Sequence, residues 1–152
     1  MNKDKTTIYE FNPCVYPRLL WVAKGGTLDE LKEHLEFNYE MDDSVGAVTL
    51  CNVSKKSDES LGALVWFPKA SNIKKLDWIA HECTHVALYI FGETGCIADP
   101  QNQEPLAYLV GWAFDCVDKV RRINNGKVSQ SENLKIVQSE KIGEEKDLHR
   151  NG

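Results

Sequence analysis

The stretch that decides the fold is residues 72–92, NIKKLDWIAHECTHVALYIFG, in which apolar side chains recur at helical spacing. Together they form a wide apolar surface, which consists of Leu76, Ile79, Ala80, Cys83, Val86, Ala87 and Ile90. Asn72 is a residue type that caps helix beginnings, and Gly92 is a type that follows helix ends. The pattern therefore predicts a long helix from Asn72 to about Phe91, with this apolar surface in the core.

Strand candidates precede this helix. Residues 45–53, VGAVTLCNV, and residues 61–67, LGALVWF, flank a polar run, which is typical of a hairpin with a loop between its strands. Shorter elements are predicted nearer the start of the chain: strands at 7–9 and within 15–22, and a helix at 28–37 after the capping box of Thr27 and Glu30. The order indicates an α+β fold, in which a small mixed or antiparallel sheet is backed by helices.

A further helix is predicted from Glu104 to Arg122, because Pro105 suits the first turn and apolar residues repeat at helical spacing. Residues 1–123 are therefore interpreted as one domain. Residues 124–152 carry balanced charges, and from residue 127 onward they contain no aromatic side chain. We expect them to form a flexible or loosely helical tail.

Composition excludes several function classes. The 152 residues carry 18 Lys and Arg against 23 Asp and Glu, a net charge of −5, which disfavours binding to nucleic acid. No apolar run is long enough for a membrane span, and the first residues lack the apolar core of a secretory signal. The five cysteines form an odd set without a C-x-x-C pair, which favours reduced thiols and a cytoplasmic location.

Chemistry is concentrated in the segment HECTH at residues 81–85. His81 and His85 are four positions apart on the predicted helix, so both imidazoles project from one face. Two neutral nitrogens placed in this way can hold Zn²⁺ at about 2.0–2.1 Å. Glu82 lies beside them, where its carboxylate can act as general base on a metal-activated water. Cys83 faces the core and is interpreted as a buried thiol.

A catalytic zinc usually has three protein ligands, so a third must come from downstream. Glu104 is favoured because it begins the next helix, which can return antiparallel over the two histidines. Glu93, Cys96 and Asp99 are nearer alternatives, but they lie at or in the connecting loop. A simpler alternative for the motif is two histidines on a solvated helix face without any metal.

His81-Glu82-Cys83-Thr84-His85, followed by Glu104, resembles the zincin metallopeptidases of the gluzincin type, over about residues 45–122. The compact minigluzincins and the ImmA/IrrE relatives are the most similar forms. The resemblance implies that His81, His85 and Glu104 bind one zinc per chain, with Glu82 as the catalytic base.

The resemblance also implies that a peptide or protein substrate pairs with the strand ahead of the active-site helix. Here that strand is residues 61–66, from Leu61 to Trp66, where Gly62 and Ala63 would let a peptide backbone approach closely. Larger gluzincins often carry an acidic residue four positions after the glutamate ligand, whereas this chain has Tyr108. Tyr108 is a candidate donor to the oxyanion, with an ordinary packed aromatic as the alternative.

The predicted function is therefore a zinc-dependent metallopeptidase. The alternative is a non-catalytic, zinc-binding interaction or regulatory module that docks a partner strand on residues 61–66. Zinc-dependent hydrolysis of another bond is a third hypothesis.

Overall fold

A six-stranded sheet with two long helices on one face organises the chain, whose computed structural model describes residues 6–40, 44–123 and 134–137. The elements in chain order are β1 Thr7–Phe11, β2 Leu19–Lys24, α1 Leu28–Lys32, β3 Leu35–Glu36, β4 Val48–Lys55, β5 Leu61–Phe67, a 3-10 helix Ala70–Lys74, α2 Leu76–Glu93, α3 Glu104–Arg122 and β6 Lys135–Val137. The predicted combination of a mixed sheet and helices is confirmed.

The sheet is mixed, and its strand order is β3-β4-β5-β2-β1-β6. The central pair, β2 and β5, is parallel, whereas each of the other neighbouring pairs is antiparallel. The parallel pair arises because the chain passes through α1, β3 and β4 before it returns to the centre as β5.

Both faces of the central strands are buried, which explains why these strands read as continuous apolar runs. On β2, Leu20 and Val22 belong to the core shared with α2 and α3, while Trp21 and Ala23 belong to a second core on the opposite face. The second core is covered in part by Leu31 of α1. Leu20 and Val22 therefore belong to the face of the sheet on which α2 and α3 pack.

The helix α2 differs from its prediction at both ends. It begins at Leu76, because the side-chain amide of Asn72 donates to the carbonyl of Gly46 at 2.9 Å instead of capping a helix. It continues through Gly92, and Gly95 with φ +72 ends it. The N–H of Gly95 donates to Gly92 O at 3.3 Å and that of Cys96 to Phe91 O at 2.9 Å, the two bonds of a Schellman motif.

Two shorter elements also begin or end away from the expected positions. The strand predicted within residues 15–22 begins only at Leu19, after a bend in which Cys14 has φ +64 and Pro17 lacks an N–H to pair. The helix α1 has the predicted capping box of Thr27 and Glu30, but it ends at Lys32. Leu35 has instead joined β3, which pairs with the end of β4.

The strand predicted to pair with substrate, residues 61–66, is a central strand, and both of its edges are occupied. β5 is hydrogen-bonded to β4 on one side and to β2 on the other, so a substrate would have to displace a strand. Gly62 does permit a close backbone approach, but the approaching chain is β2. A Cβ at Gly62 would lie 2.1 Å from the carbonyl oxygen of Leu19.

Part of β4 has an open edge among the described residues. Among the described residues, β3 is its partner on the outer side, and β3 pairs only with Ser54 and Lys55. No described strand therefore pairs with the outer edge of β4 between Val48 and Val53. A bulge interrupts this edge, where Asn52 has φ +54.

Part of the predicted tail is a strand. β6 pairs antiparallel with β1, and the Nζ of Lys135 contacts Glu10 Oε1 at 2.7 Å. This differs from the expected flexible or loosely helical segment because Ile136 and Val137 are β-branched and extend an available strand edge. The rest of the predicted tail, residues 124–133 and 138–152, lies outside the described residues. Within the described ranges, no helix has both the length and the apolar character needed to cross a membrane.

Candidate metal centre

The two histidines of the HECTH segment lie side by side on the exposed face of α2. One helical turn separates His81 from His85, and their Nε2 atoms are 3.1 Å apart. Their ring centroids are 4.8 Å apart at an interplanar angle of 77°. The spacing in the sequence therefore brings the two imidazoles together as predicted.

This separation fits two ligands of one metal ion. Two nitrogens bound at about 2.0–2.1 Å to a tetrahedral zinc lie about 3.3 Å apart. The 3.1 Å between the Nε2 atoms of His81 and His85 is close to that value. In the metal-free protein the same distance is that of a hydrogen bond, in which one ring donates its N–H to the other.

Glu82 follows His81 in the helix, and its side chain is largely buried against β4. Only 7% of the residue is exposed, and its Oε2 accepts a hydrogen bond from Thr49 Oγ1 at 2.6 Å. The same hydroxyl lies 3.2 Å from the main-chain oxygen of Glu82. Thr49 belongs to β4, so the hydrogen bond connects the motif to the sheet.

A cleft of about 350 Å³ opens beside His81 and Glu82. Its other lining residues are Gly46, Ala47, Asp77 and Trp78. A Cβ at Gly46 would lie 2.2 Å from Trp78 Cζ3, so the indole packs directly against the backbone there. The cleft gives a small molecule or a chain segment access to the Glu82 carboxylate.

The proposed third ligand is not assembled with the histidines. Glu104 is exposed in the first turn of α3, and α3 packs against α2 through the shared core. Of the residues that the structure describes, no three His, Cys, Asp or Glu side chains form a group that could hold a metal ion. The structure therefore brings His81 and His85 together and leaves Glu104 apart from them.

The loop alternatives to Glu104 have other contacts. The Oδ1 of Asp99 accepts from the N–H of Gln101 at 2.8 Å within a turn. Glu93 forms an ion pair with Arg18 at 3.1 Å. Cys96 is exposed, and its sulfur lies 3.6 Å from Thr94 Oγ1. None of these side chains is grouped with the histidines.

Two further residues, Cys83 on α2 and Tyr108 on α3, can be compared with their predicted environments. Cys83 is fully buried in the core, as predicted, and burial raises the pKa of its thiol to about 12. Tyr108 is 75% exposed on α3, so it is not a packed aromatic. Its hydroxyl has no hydrogen bond to a described residue, and the prediction of an oxyanion donor stays a prediction.

Thr49 is a residue of this site that sequence reasoning missed. The sequence gives little indication of its role in the site, because threonine is common in strands and its contact with Glu82 depends on how α2 crosses β4.

No family model matches this chain, and comparisons with curated proteins and with solved structures found no match.

Proposed function

We propose that this protein is a zinc-dependent metallopeptidase with a zincin-like fold, in which Glu82 is the general base. The observation that carries the proposal is the convergence of the His81 and His85 Nε2 atoms beside the buried Glu82 carboxylate and its cleft. Two imidazoles and one carboxylate within a single helical turn supply two ligands and a proton acceptor.

The third ligand in this proposal is Glu104. Its carboxylate makes no hydrogen bond or ion pair with any described residue, so no existing contact has to break for it to bind a cation. It lies in the first turn of α3, and because the structure leaves it apart from the histidines, it would have to approach them for all three side chains to bind one cation. A His₂Glu donor set of this kind is typical of catalytic zinc sites in peptidases.

Glu82 and a bound zinc ion would have different roles in peptide hydrolysis. Zinc held by His81, His85 and Glu104 would supply Lewis acidity toward a bound water and a carbonyl oxygen. Glu82 accepts a proton from the water as its oxygen forms a bond to the carbonyl carbon. The carboxylic acid then returns that proton to the amide nitrogen as the C–N bond breaks, which regenerates the Glu82 carboxylate.

The substrate in this proposal is an extended peptide that adds to the open edge of β4. Thr49 lies on this strand and contacts Glu82, so a peptide paired between Val48 and Leu50 would run past the base and the cleft. The open edge of β4 replaces residues 61–66 as the docking strand, because both edges of β5 are occupied.

A cytoplasmic location is part of the proposal. Cys14, Cys51 and Cys96 are exposed free thiols, and exposed unpaired thiols are typical of proteins from a reducing compartment.

The experiment that tests this function compares zinc-loaded wild-type protein with Glu82→Gln. We expect the wild type to cleave members of a mixed peptide library. The variant should keep its zinc and its fold while losing at least about 10²-fold in rate.

The matched control is Glu93→Gln, which makes the same change at the other end of α2 and should cleave normally. Full activity of Glu82→Gln would contradict the base assignment. Zinc binding without any cleavage by the wild type would instead favour the non-catalytic interaction module.

A further inference from the structure

Thr49 makes a contact that its place in the sheet does not require. Its backbone pairs with Val65 of β5, which fixes the strand on one side. Its side chain is half-buried and faces α2, where Oγ1 lies 2.6 Å from Glu82 Oε2. A valine in the same pleated position would pack as well against α2 and would donate no hydrogen bond.

The hydroxyl has a single proton, so only one of its two close oxygens can receive it. The carboxylate oxygen is nearer, at 2.6 Å against 3.2 Å for the main-chain oxygen of Glu82. A charged acceptor also binds a hydroxyl more strongly than a carbonyl does. The proton therefore goes to Oε2 and restricts rotation of the Glu82 carboxylate.

We infer that Thr49 is a positioning residue, which holds Glu82 against β4 so that its second oxygen, Oε1, faces the cleft beside His81. The inference rests on the proposed function, because it assigns the orientation of the base in that reaction. Oε1 makes no hydrogen bond to a described residue, and Glu82 lines the cleft. The oxygen that takes the proton is thus the one that Thr49 leaves unbound.

The same contact links the base to the substrate strand. Because Thr49 sits on the open edge of β4, a peptide that adds to this edge would bind to the strand that orients Glu82. Displacement of a catalytic group by about 1 Å can lower a rate by about 10²-fold. A defect in this contact should therefore lower kcat and leave KM nearly unchanged.

The first part of the test measures the contact itself in metal-free protein. A double-mutant cycle compares the urea unfolding of four proteins, which are the wild type, Thr49→Val, Glu82→Met and the double variant. We expect the two side chains to be coupled by a factor of about ten or more in the unfolding equilibrium constant, as for a hydrogen bond to a charged group. Additive effects would overturn the inference, whatever the protein catalyses.

The second part measures function in zinc-loaded protein. Thr49→Val should lose about 10- to 100-fold in kcat with the KM and zinc content of the wild type, and Thr49→Ser should restore most of the rate. The matched control is Thr94→Val, since Thr94 Oγ1 donates to Ile90 O at 2.8 Å, at the far end of α2. It should leave kcat unchanged.

The outcomes separate this inference from the proposed function. An active wild type with Thr49→Val equally fast would overturn the inference alone, and so would a Thr49→Ser variant as slow as Thr49→Val. If Thr49→Val does not fold, the serine variant carries the test, because it keeps the hydroxyl and should keep the rate. An inactive wild type would overturn the proposed function and the catalytic role of Thr49 with it.

Discussion

At the scale of single residues, the site consists of two exposed histidines and one buried carboxylate. The positions of His81, Glu82 and His85 follow from helical spacing alone, so the sequence could predict which of them share a face. Thr49 could not be predicted in this way, because its contact with Glu82 joins residues 33 positions apart through the packing of β4 on α2.

The cysteines provide a test at this scale. Cys14, Cys51 and Cys96 are exposed, whereas Cys83 and Cys116 are buried between the sheet and the helices. Burial raises the pKa of each buried thiol to about 12, so almost no reactive thiolate forms at neutral pH.

We therefore expect an aromatic disulfide reagent at pH 8 to modify Cys14 and Cys96 quickly in the native protein, and Cys51 more slowly because burial raises the pKa of its thiol. All five thiols should react after denaturation in urea. Mass spectrometry of the labelled peptides identifies which thiols react. Rapid native labelling of Cys83 would contradict the packing of α2 on the sheet.

At the scale of elements, the apolar pattern predicted the kinds of helix and strand better than it predicted their ends. The prediction ended α2 at Gly92, yet Gly95 ends it, because only the latter has the left-handed conformation that a Schellman motif requires. Asn72 is a capable capping residue, but a tertiary contact with Gly46 uses its side chain. Such choices depend on neighbours that local sequence does not reveal.

Gly62 gives the sharpest test at this scale. In Gly62→Ala the new methyl group would meet the backbone of Leu19 in the parallel pair of β2 and β5. We expect a loss of about 2 kcal/mol or more in the free energy of unfolding, because a backbone cannot move aside as a side chain does.

The matched control is Gly111→Ala, on an exposed face of α3, where an added Cβ meets nothing within 4 Å. This variant should gain about 0.5–1 kcal/mol from helix propensity. Urea unfolding measures both variants, and equal stabilities for the two would contradict the observed register of the central strands.

At the scale of the whole molecule, one ion-pair network joins strands that are far apart in the chain. Glu10 of β1 accepts from Lys55 at 2.7 Å, from Lys135 at 2.7 Å and from the indole N–H of Trp21 at 3.0 Å. Lys55 also pairs with Asp58 at 2.8 Å. The sequence could not predict this network, because the pairing of β6 with β1 brings Lys135 to Glu10.

The network predicts how stability depends on pH. Burial alone would raise the pKa of the Glu10 carboxyl, but its hydrogen bonds with Lys135, Lys55 and Trp21 outweigh burial and hold the pKa below the usual 4.5. A carboxyl whose pKa is lower in the folded state stabilises the fold above the unfolded-state pKa. That contribution is lost as the pH falls below about 4.5 toward the folded-state value.

We expect Glu10→Gln to be less stable than the wild type at pH 7, with a smaller further loss between pH 5 and pH 3. Urea unfolding at several pH values provides the comparison, and Glu36→Gln, at an exposed position of β3, serves as a control with the same change of charge. Parallel stability curves for wild type and Glu10→Gln would contradict the role of the network.

The measurement that tests the central claim most directly is the zinc content per chain of untagged protein purified without chelator. We expect about one zinc ion in the wild type, a clear loss in His85→Ala and in Glu104→Ala, and no loss in Glu93→Gln. A folded wild type that contains no zinc, and takes up none when zinc is added, would contradict the account and leave His81 and His85 as hydrogen-bonded residues of an exposed helix face.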